Sequence, residues 1–186
     1  ITYDLLSELH PDRISKRGAK QLRQHFHVGE SGPLVLVAHK KDGDFRSSEG
    51  VQAIRELTSS LYLDESVRAV RSLVAPIGRK PKVSAASLYR HNHRLTREIY
   101  LGKEGAIEGD VTRLELVLQH DPFSIEAIEV LQKVELHVEQ LKESSEFWAK
   151  SDFAFAGTTA AIRDLREVTS ADNVRIQWLV ALAVLM

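Results

Sequence analysis

The stretch DVTRLELVLQHDPFS, residues 110–124, predicts a strand followed directly by the start of a helix. Leu114, Leu116 and Leu118 occupy every second position, which is typical of a strand with one face in a core. The motif DPFS at 121–124 favours a helix start, because proline fits the first turn and the serine or the aspartate can cap it. This strand–helix pair is the unit around which the remaining elements can be ordered.

A similar unit precedes it, and one more strand follows it. The apolar run at 33–39 predicts a strand buried on both faces. Ser47 or Ser48 can cap a helix after it, and residues 67–75 predict the next strand. With a last strand at 152–156, the order is strand–helix–strand twice. That order is the split βαβ pattern of a ferredoxin-like fold, so we expect an α+β domain.

Two further helices are predicted outside this pattern. The first covers about 16–26, and its polar side is basic. That basic side is typical of a solvated face, or alternatively of a face near anionic lipid headgroups. The second is an inserted helix at about 84–101, between the second and third strands. The apolar stripe of the first helix is Ala19, Leu22 and Phe26, and the positions expected to be buried in the second are Leu88, Leu95 and Ile99.

The last strand leads into a corner with the sequence Gly157-Thr158-Thr159. A glycine at such a corner permits a close backbone approach or a positive φ. A threonine there can cap the next helix, which we expect to bury Ala161, Leu165 and Val168. The corner is therefore either a structural turn or a hinge between the domain and whatever the helix leads to.

The C-terminal residues 178–186 are all apolar, and no turn residue follows them. A membrane-spanning helix needs about 20 apolar residues, and this run supplies about half of that. We expect 173–186 to be the start of a transmembrane helix. The chain begins with Ile1, and its single methionine is Met186, so we expect an internal piece of a longer protein.

Composition excludes several classes of function. The chain has 186 residues, 43% of them hydrophobic and 27% charged, which suits a folded domain. Its net charge of −1 gives no electrostatic case for binding nucleic acid. The absence of cysteine removes disulfides, zinc–thiolate sites and cysteine nucleophiles.

No motif in the chain makes a positive case for catalysis, a cofactor or a metal. His91 and His93 stand two apart in a predicted helix, so they point in different directions. The pair His120-Asp121 is better explained as a strand end followed by a helix cap. The serines at predicted caps lack a nucleophile-elbow sequence around them. We therefore expect a protein that is not an enzyme.

The C-terminal stretch AGTTAAIRDLREVTSADNVRIQWLVAL, residues 156–182, resembles the end of a large extracytoplasmic loop in MMPL-type transporters of the resistance–nodulation–division superfamily. In those proteins a strand end, a Thr-Ala turn and a helix with two spaced aspartates precede a membrane helix. Asp164 and Asp172 stand at the two aspartate places, while Ala156-Gly157 stands where the family often has two glycines. Further matching motifs are Tyr3-Asp4-Leu5-Leu6, Ser15-x-x-Gly18, Phe26, Gly29-Glu30-x-Gly32-Pro33-Leu34 and Asp121-Pro122-Phe123-Ser124.

This resemblance implies a porter domain of a proton-driven exporter of lipids or other hydrophobic compounds in a bacterial inner membrane, facing the periplasm. Its partners would be the rest of its own transporter, a hydrophobic substrate and, through the C-terminal helix, the bilayer. The proton-relay carboxylates of such transporters lie in membrane helices outside this chain. The implied organisation is an N-terminal segment and helix at 1–30, a ferredoxin-like porter domain at 31–157, a connecting helix at 158–172 and the membrane helix from 173.

The sequence is also compatible with two other functions. A ferredoxin-like module tethered to a membrane could sense a ligand or regulate a partner. A small soluble enzyme could instead bury the apolar C-terminal helix in its own core. If the chain is a porter domain, the residues expected to couple it to the membrane helix are Gly157, Thr158, Thr159, Asp164 and Asp172.

Overall fold

A computed structural model of the chain describes residues 10, 12–62, 65–80, 93–102 and 109–185. The described elements form five α-helices, four strands and one short 3-10 turn. In chain order they are α1 (Ile14–His25), the 3-10 turn (Val28–Ser31), β1 (Leu34–Lys40), α2 (Ser48–Ser60), β2 (Val67–Arg71), α3 (His93–Tyr100), β3 (Val111–Leu118), α4 (Ile125–Ser144), β4 (Ser151–Ala156) and α5 (Thr158–Leu185).

The four strands form one antiparallel sheet in the order β2-β3-β1-β4. Each βαβ unit is split, because β3 lies between β1 and β2 while β1 lies between β3 and β4. In the two central pairings Leu36 lies opposite Leu114 on one side and Phe155 on the other. The α+β ferredoxin-like fold expected from the order of elements is confirmed.

Two serines begin the helices that connect the split strands. The Ser47 hydroxyl accepts a hydrogen bond from the Gly50 amide at 3.0 Å, and Ser124 accepts one from the Ala127 amide at 3.2 Å. Each bond satisfies an amide that has no partner within its own helix. Both caps are among those that the sequence predicts, so α2 and α4 begin where local chemistry places their first turns.

The core fills the space between one face of the sheet and helices α2 and α4. Leu36 and Leu114 in the sheet are fully buried, as are Ile54 in α2 and Leu131 in α4. At one side of this core the indole of Trp148 packs between aromatic rings. The rings within 6.0 Å of it, centroid to centroid, belong to Phe45, Phe147 and Phe153.

The other face of the sheet is only partly covered, which corrects the prediction for β1. Val35 and Val37 are half-buried, so β1 is not buried on both faces. The 3-10 turn covers one corner of this face. A Cβ on its Gly29 would lie 1.9 Å from the carbonyl oxygen of Leu118 at the end of β3. The prediction was wrong because a continuous apolar run does not reveal which of its faces a helix will cover.

Strand β2 ends earlier than predicted. After Arg71 the chain makes a tight turn in which the amides and carbonyls of Ser72 and Ala75 bond to each other at 3.1–3.2 Å. The Ser72 hydroxyl accepts a hydrogen bond from the Thr58 hydroxyl of α2 at 2.9 Å. A buried side-chain bond to a helix thus replaces the sheet pairing that the apolar pattern predicts for 72–75.

The predicted buried positions of α3 are wrong where the structure describes them, and the apolar stripe of α1 is not buried in the domain. No residue of α1 is buried, and Leu22 and Phe26 are largely exposed. In α3, Leu95 is 61% exposed and Ile99 is 49% exposed, while Thr96 and Tyr100 are buried. The Tyr100 carbonyl accepts a hydrogen bond from the buried Thr112 hydroxyl of β3 at 3.1 Å, which fixes the rotation of the helix end. Leu88 and the first part of the predicted helix lie outside the described residues.

Helix α5 is one continuous helix across the predicted boundary between 172 and 173. Its predicted buried stripe is wrong, because Ala161, Leu165 and Val168 are all exposed. Within the described part of the chain, no helix combines the length and the apolar character needed to cross a bilayer. The transmembrane start at 173–186 stays a prediction, as does the proposed division into segments.

Candidate functional site

The corner that joins β4 to α5 has a backbone that only glycine adopts easily. Gly157 has a φ of +107°, and a Cβ there would lie 2.7 Å from the carbonyl oxygen of Pro33. Its own carbonyl accepts the amide of Ala161 at 3.0 Å, so the first turn of α5 starts at this residue. Both properties that the sequence suggests for Gly157, a positive φ and a close backbone approach, are present.

The two threonines after Gly157 connect α5 to other segments. The buried Thr159 hydroxyl donates to the carbonyl of Pro122, just before α4, at 3.1 Å. A Cβ on Gly32 would lie 2.9 Å from the Thr158 hydroxyl and 3.2 Å from the Pro122 ring. The start of β1, the start of α4 and the start of α5 therefore pack together within van der Waals distance. We call the residues Gly32, Pro33, Pro122 and Gly157–Thr159 the α5 corner.

Helix α1 is attached next to the α5 corner by an ion pair. The Arg23 guanidinium lies 2.8 Å from one carboxylate oxygen of Asp121, and the other oxygen accepts the Phe123 amide at 3.1 Å. Asp121 therefore takes part in the start of α4, as the sequence predicts, and also holds α1. No local pattern reveals that Arg23, 98 residues earlier, is its partner.

A groove of about 370 Å³ lies between α4 and α5, just beyond the α5 corner. Arg163 on its wall pairs with Glu135 of α4 and with the neighbouring Asp164, the latter at 3.0 Å. Burial lowers the pKa of Arg163, but the bonds to these two carboxylates outweigh it and raise that pKa above its usual value. The groove is lined by Ile125, Ile128, Glu129, Gln132, Arg163, Arg166 and Glu167.

The structure brings only some of the predicted coupling residues together. Gly157, Thr158 and Thr159 form the α5 corner, whereas Asp164 belongs to the ion-pair cluster of Arg163 and Glu135 beside the groove. Asp172 lies about 20 Å from the α5 corner along the helix, at a rise of about 1.5 Å per residue. Its exposed carboxylate is 3.4 Å from Arg175. Asp172 is thus a surface ion pair on the outgoing helix and not a part of the corner.

The open face of the sheet carries a charge network that the sequence analysis missed. The Arg71 guanidinium of β2 lies 2.5 Å from Glu30 in the 3-10 turn and 4.0 Å from Glu115 in β3. Glu115 also pairs with Arg113 of the same strand at 3.1 Å. Burial, followed by the negative charge of Glu115, raises the pKa of Tyr100 at the edge of this network. The period-two alternation of β3 places Arg113 and Glu115 on one face, but it cannot name partners on other segments.

The structure describes three of the four residues in the pairs His91/His93 and His120/Asp121. Asp121 faces Arg23, and His120 is half-buried at the end of β3. His93 begins α3, whereas His91 lies outside the described residues. In the part of the chain that the structure describes, no cluster of three or more His, Asp or Glu side chains is arranged to hold a metal ion.

Comparison with known proteins gives one informative similarity. The chain is similar to an apo-petrobactin exporter from Bacillus anthracis, with 22% identity over 173 residues. The match covers 92% of this chain and 18% of the relative, so the chain spans less than a fifth of that protein's length. No protein-family model matches the chain. The name exporter describes that relative, to a small part of which this chain corresponds.

Proposed function

We propose that the chain is an extracytoplasmic porter domain of a proton-driven membrane exporter of the resistance–nodulation–division and MMPL type. The observation that carries this proposal is the similarity to an exporter over 92% of the chain. The ferredoxin-like sheet, in the order β2-β3-β1-β4, supports it, because that fold is the one the resemblance implies. The exported compounds would be lipids or other hydrophobic molecules, and proton transfer would take place in other parts of the full transporter.

In this proposal the α5 corner couples the domain to the membrane. Helix α5 buries Thr159, Ala160 and Ile162 against the domain, whereas Leu165 and Val168 beyond them are exposed. A movement of α5 would therefore reach the domain through the buried start of the helix and, by the Arg163–Glu135 ion pair, through α4. Gly157 is the point where the backbone turns, and its contact with Pro33 would transmit the movement to β1.

Export by the full-length parent protein is the direct test. Its gene would be deleted and restored, and the cellular retention of labelled lipids, hydrophobic compounds and apo-petrobactin would be measured. Apo-petrobactin belongs in the panel because the name of the similar protein states its export. We expect at least one compound to accumulate on deletion and to leave the cell on restoration. Unchanged retention of the whole panel would contradict the exporter proposal.

A pair of glycine substitutions in the full-length protein tests the coupling role separately. Gly157→Val should impair export without abolishing expression, because valine does not tolerate the positive φ or the contact with Pro33. Gly18→Ala is the matched control, since a Cβ at Gly18 meets nothing within 4 Å. Equal export by both variants at equal membrane levels would remove the case for coupling at Gly157, while leaving the exporter proposal standing.

A ligand-sensing or regulatory module tethered to a membrane is the second candidate. The groove between α4 and α5 favours it, because its volume of about 370 Å³ lies at the lower end of small-molecule sites. Calorimetry on this chain separates the two functions. A porter passage needs a second subdomain, so the exporter proposal predicts weak binding of hydrophobic compounds or none. Tight binding of one molecule per chain would favour the sensing module.

A further inference from the structure

Helix α1 has two well-separated faces, and neither is buried in the domain. At about 3.6 residues per turn, Ile14, Leu22 and the adjoining Phe26 fall on one side of the helix. Their side chains are 85%, 40% and 59% exposed. A surface helix of a soluble domain ordinarily turns its apolar side towards the core. The exposed apolar side of α1 is therefore a feature that the fold of this domain does not explain.

The opposite side of α1 is strongly basic. Residues 13–28 contain five lysines and arginines and no aspartate or glutamate. Because the whole chain has a net charge of −1, the remaining residues carry a net charge of −6. Positive charge is thus concentrated on one short helix of an otherwise acidic chain. The basic residues are Arg13, Lys16, Arg17, Lys20 and Arg23.

The attachment of α1 leaves most of both faces accessible. Arg23, near the C-terminal end of the helix, pairs with Asp121, and Lys16 and Ala19 are half-buried on the same side. Arg17 and Lys20 are exposed. The helix is therefore held at the α5 corner with its apolar stripe and two of its cations directed away from the domain.

We propose that α1 binds the surface of an anionic lipid bilayer. The apolar stripe of Ile14, Leu22 and Phe26 would lie at the boundary between headgroups and acyl chains, and the flanking cations would contact anionic headgroups. Amphipathic helices with a basic polar face bind bilayers in this way. A second copy of the chain is a poorer occupant of the same stripe, because it would bring its own exposed Arg17 and Lys20 close to those of the first copy.

Vesicle flotation with the full chain tests this inference without any measurement of export. One set of vesicles contains phosphatidylcholine alone. The other contains phosphatidylcholine with about 30% phosphatidylglycerol, so that about one lipid in three is anionic. The apolar C-terminal residues of α5 would add binding to both sets alike. The measured quantity is therefore the gain in affinity on adding the anionic lipid, and we expect that gain to shrink as salt is raised.

Charge removal on α1 should reduce this gain. Arg17→Gln with Lys20→Gln should weaken binding to anionic vesicles about 30-fold, which corresponds to about 1 kcal/mol for each basic side chain near the surface. The same double variant should bind neutral vesicles like the original chain. Lys41→Gln with Lys150→Gln is the matched control, because both lysines are exposed but lie outside α1. Equal losses in the two double variants would refute a specific role for α1.

Polar substitution of the apolar stripe is the second arm. Leu22→Gln with Phe26→Gln should weaken binding to anionic vesicles at unchanged circular dichroism, whereas Leu136→Gln on the exposed side of α4 should not. Sedimentation velocity of the same proteins detects the competing occupant. If the stripe variant abolishes a dimer and leaves vesicle binding unchanged, the stripe is an interface between copies and the inference is wrong.

Discussion

Replacement of Gly157 by alanine should destabilise the domain more than its small size suggests. A residue with a Cβ at a φ of +107° incurs a backbone strain of about 1–3 kcal/mol. The added Cβ would also lie 2.7 Å from the Pro33 carbonyl oxygen, a backbone atom that cannot rotate away. Relieving such an overpacked contact costs about 1–3 kcal/mol. One shift of the backbone would relieve the positive-φ strain and the close contact together, so the two costs do not add in full. We therefore expect a total loss of about 3 kcal/mol in the free energy of unfolding.

Urea denaturation followed by circular dichroism measures this loss. At an m-value of about 2 kcal/mol per molar urea, a change of about 3 kcal/mol moves the midpoint down by about 1.5 M. Gly18→Ala is the control, and we expect it to change the free energy of unfolding in the opposite direction. It lies within α1 with open space around it, so alanine should raise helicity and cost nothing in the core. A midpoint for Gly157→Ala within about 0.25 M of the original chain would refute the assignment of strain to this corner.

Three further predictions concern the surroundings of the α5 corner. Thr159→Val should lower the free energy of unfolding by about 1–3 kcal/mol, because the buried Pro122 carbonyl loses its hydrogen-bond donor. Thr159→Ser keeps the hydroxyl and should therefore retain most of the stability. Equal losses of stability in the two variants, measured in urea melts, would contradict the role of the hydroxyl. A double-mutant cycle with Glu135→Ala and Arg163→Ala should give a coupling free energy of about 0.5–1 kcal/mol between the two side chains, and this coupling should decrease when salt is raised to about 1 M. A coupling near zero at low salt would contradict a stabilising ion pair. Burial lowers the pKa of His137, so the unfolded chain binds more protons than the folded one below the ordinary histidine pKa of 6.5. Stability should therefore be complete above that pH and decrease as pH falls towards the lowered pKa, with a shallower decrease in His137→Gln; identical pH profiles of the urea midpoint would contradict this.

The order of elements could be predicted because its determinants are local. Ser47 and Ser124 cap their helices through bonds to amides three residues later, and such bonds need no partner from another segment. The alternation of Leu114, Leu116 and Leu118 likewise reports one buried face of β3 directly. Two split βαβ units then leave few arrangements of four strands, and the ferredoxin-like order is among them.

The faces of helices and strands could not be predicted as well, because burial depends on what the rest of the chain places opposite them. The stripe of Leu165 and Val168 is apolar and helical in spacing, yet α5 turns its other side to the domain through Thr159 and Ile162. Val35 and Val37 belong to an apolar run, but they are only half-buried on the open face of the sheet.

The candidate site divides in the same way between sequence and structure. The sequence alone singled out Gly157, because a glycine between an apolar strand and a helix marks a backbone that other residues do not adopt. Only the tertiary structure decided what that glycine contacts, since Pro33 and Pro122 come from segments far away in the chain. Conformational preference is a property of a residue and its neighbours, whereas a contact requires the whole fold to bring distant backbone atoms together.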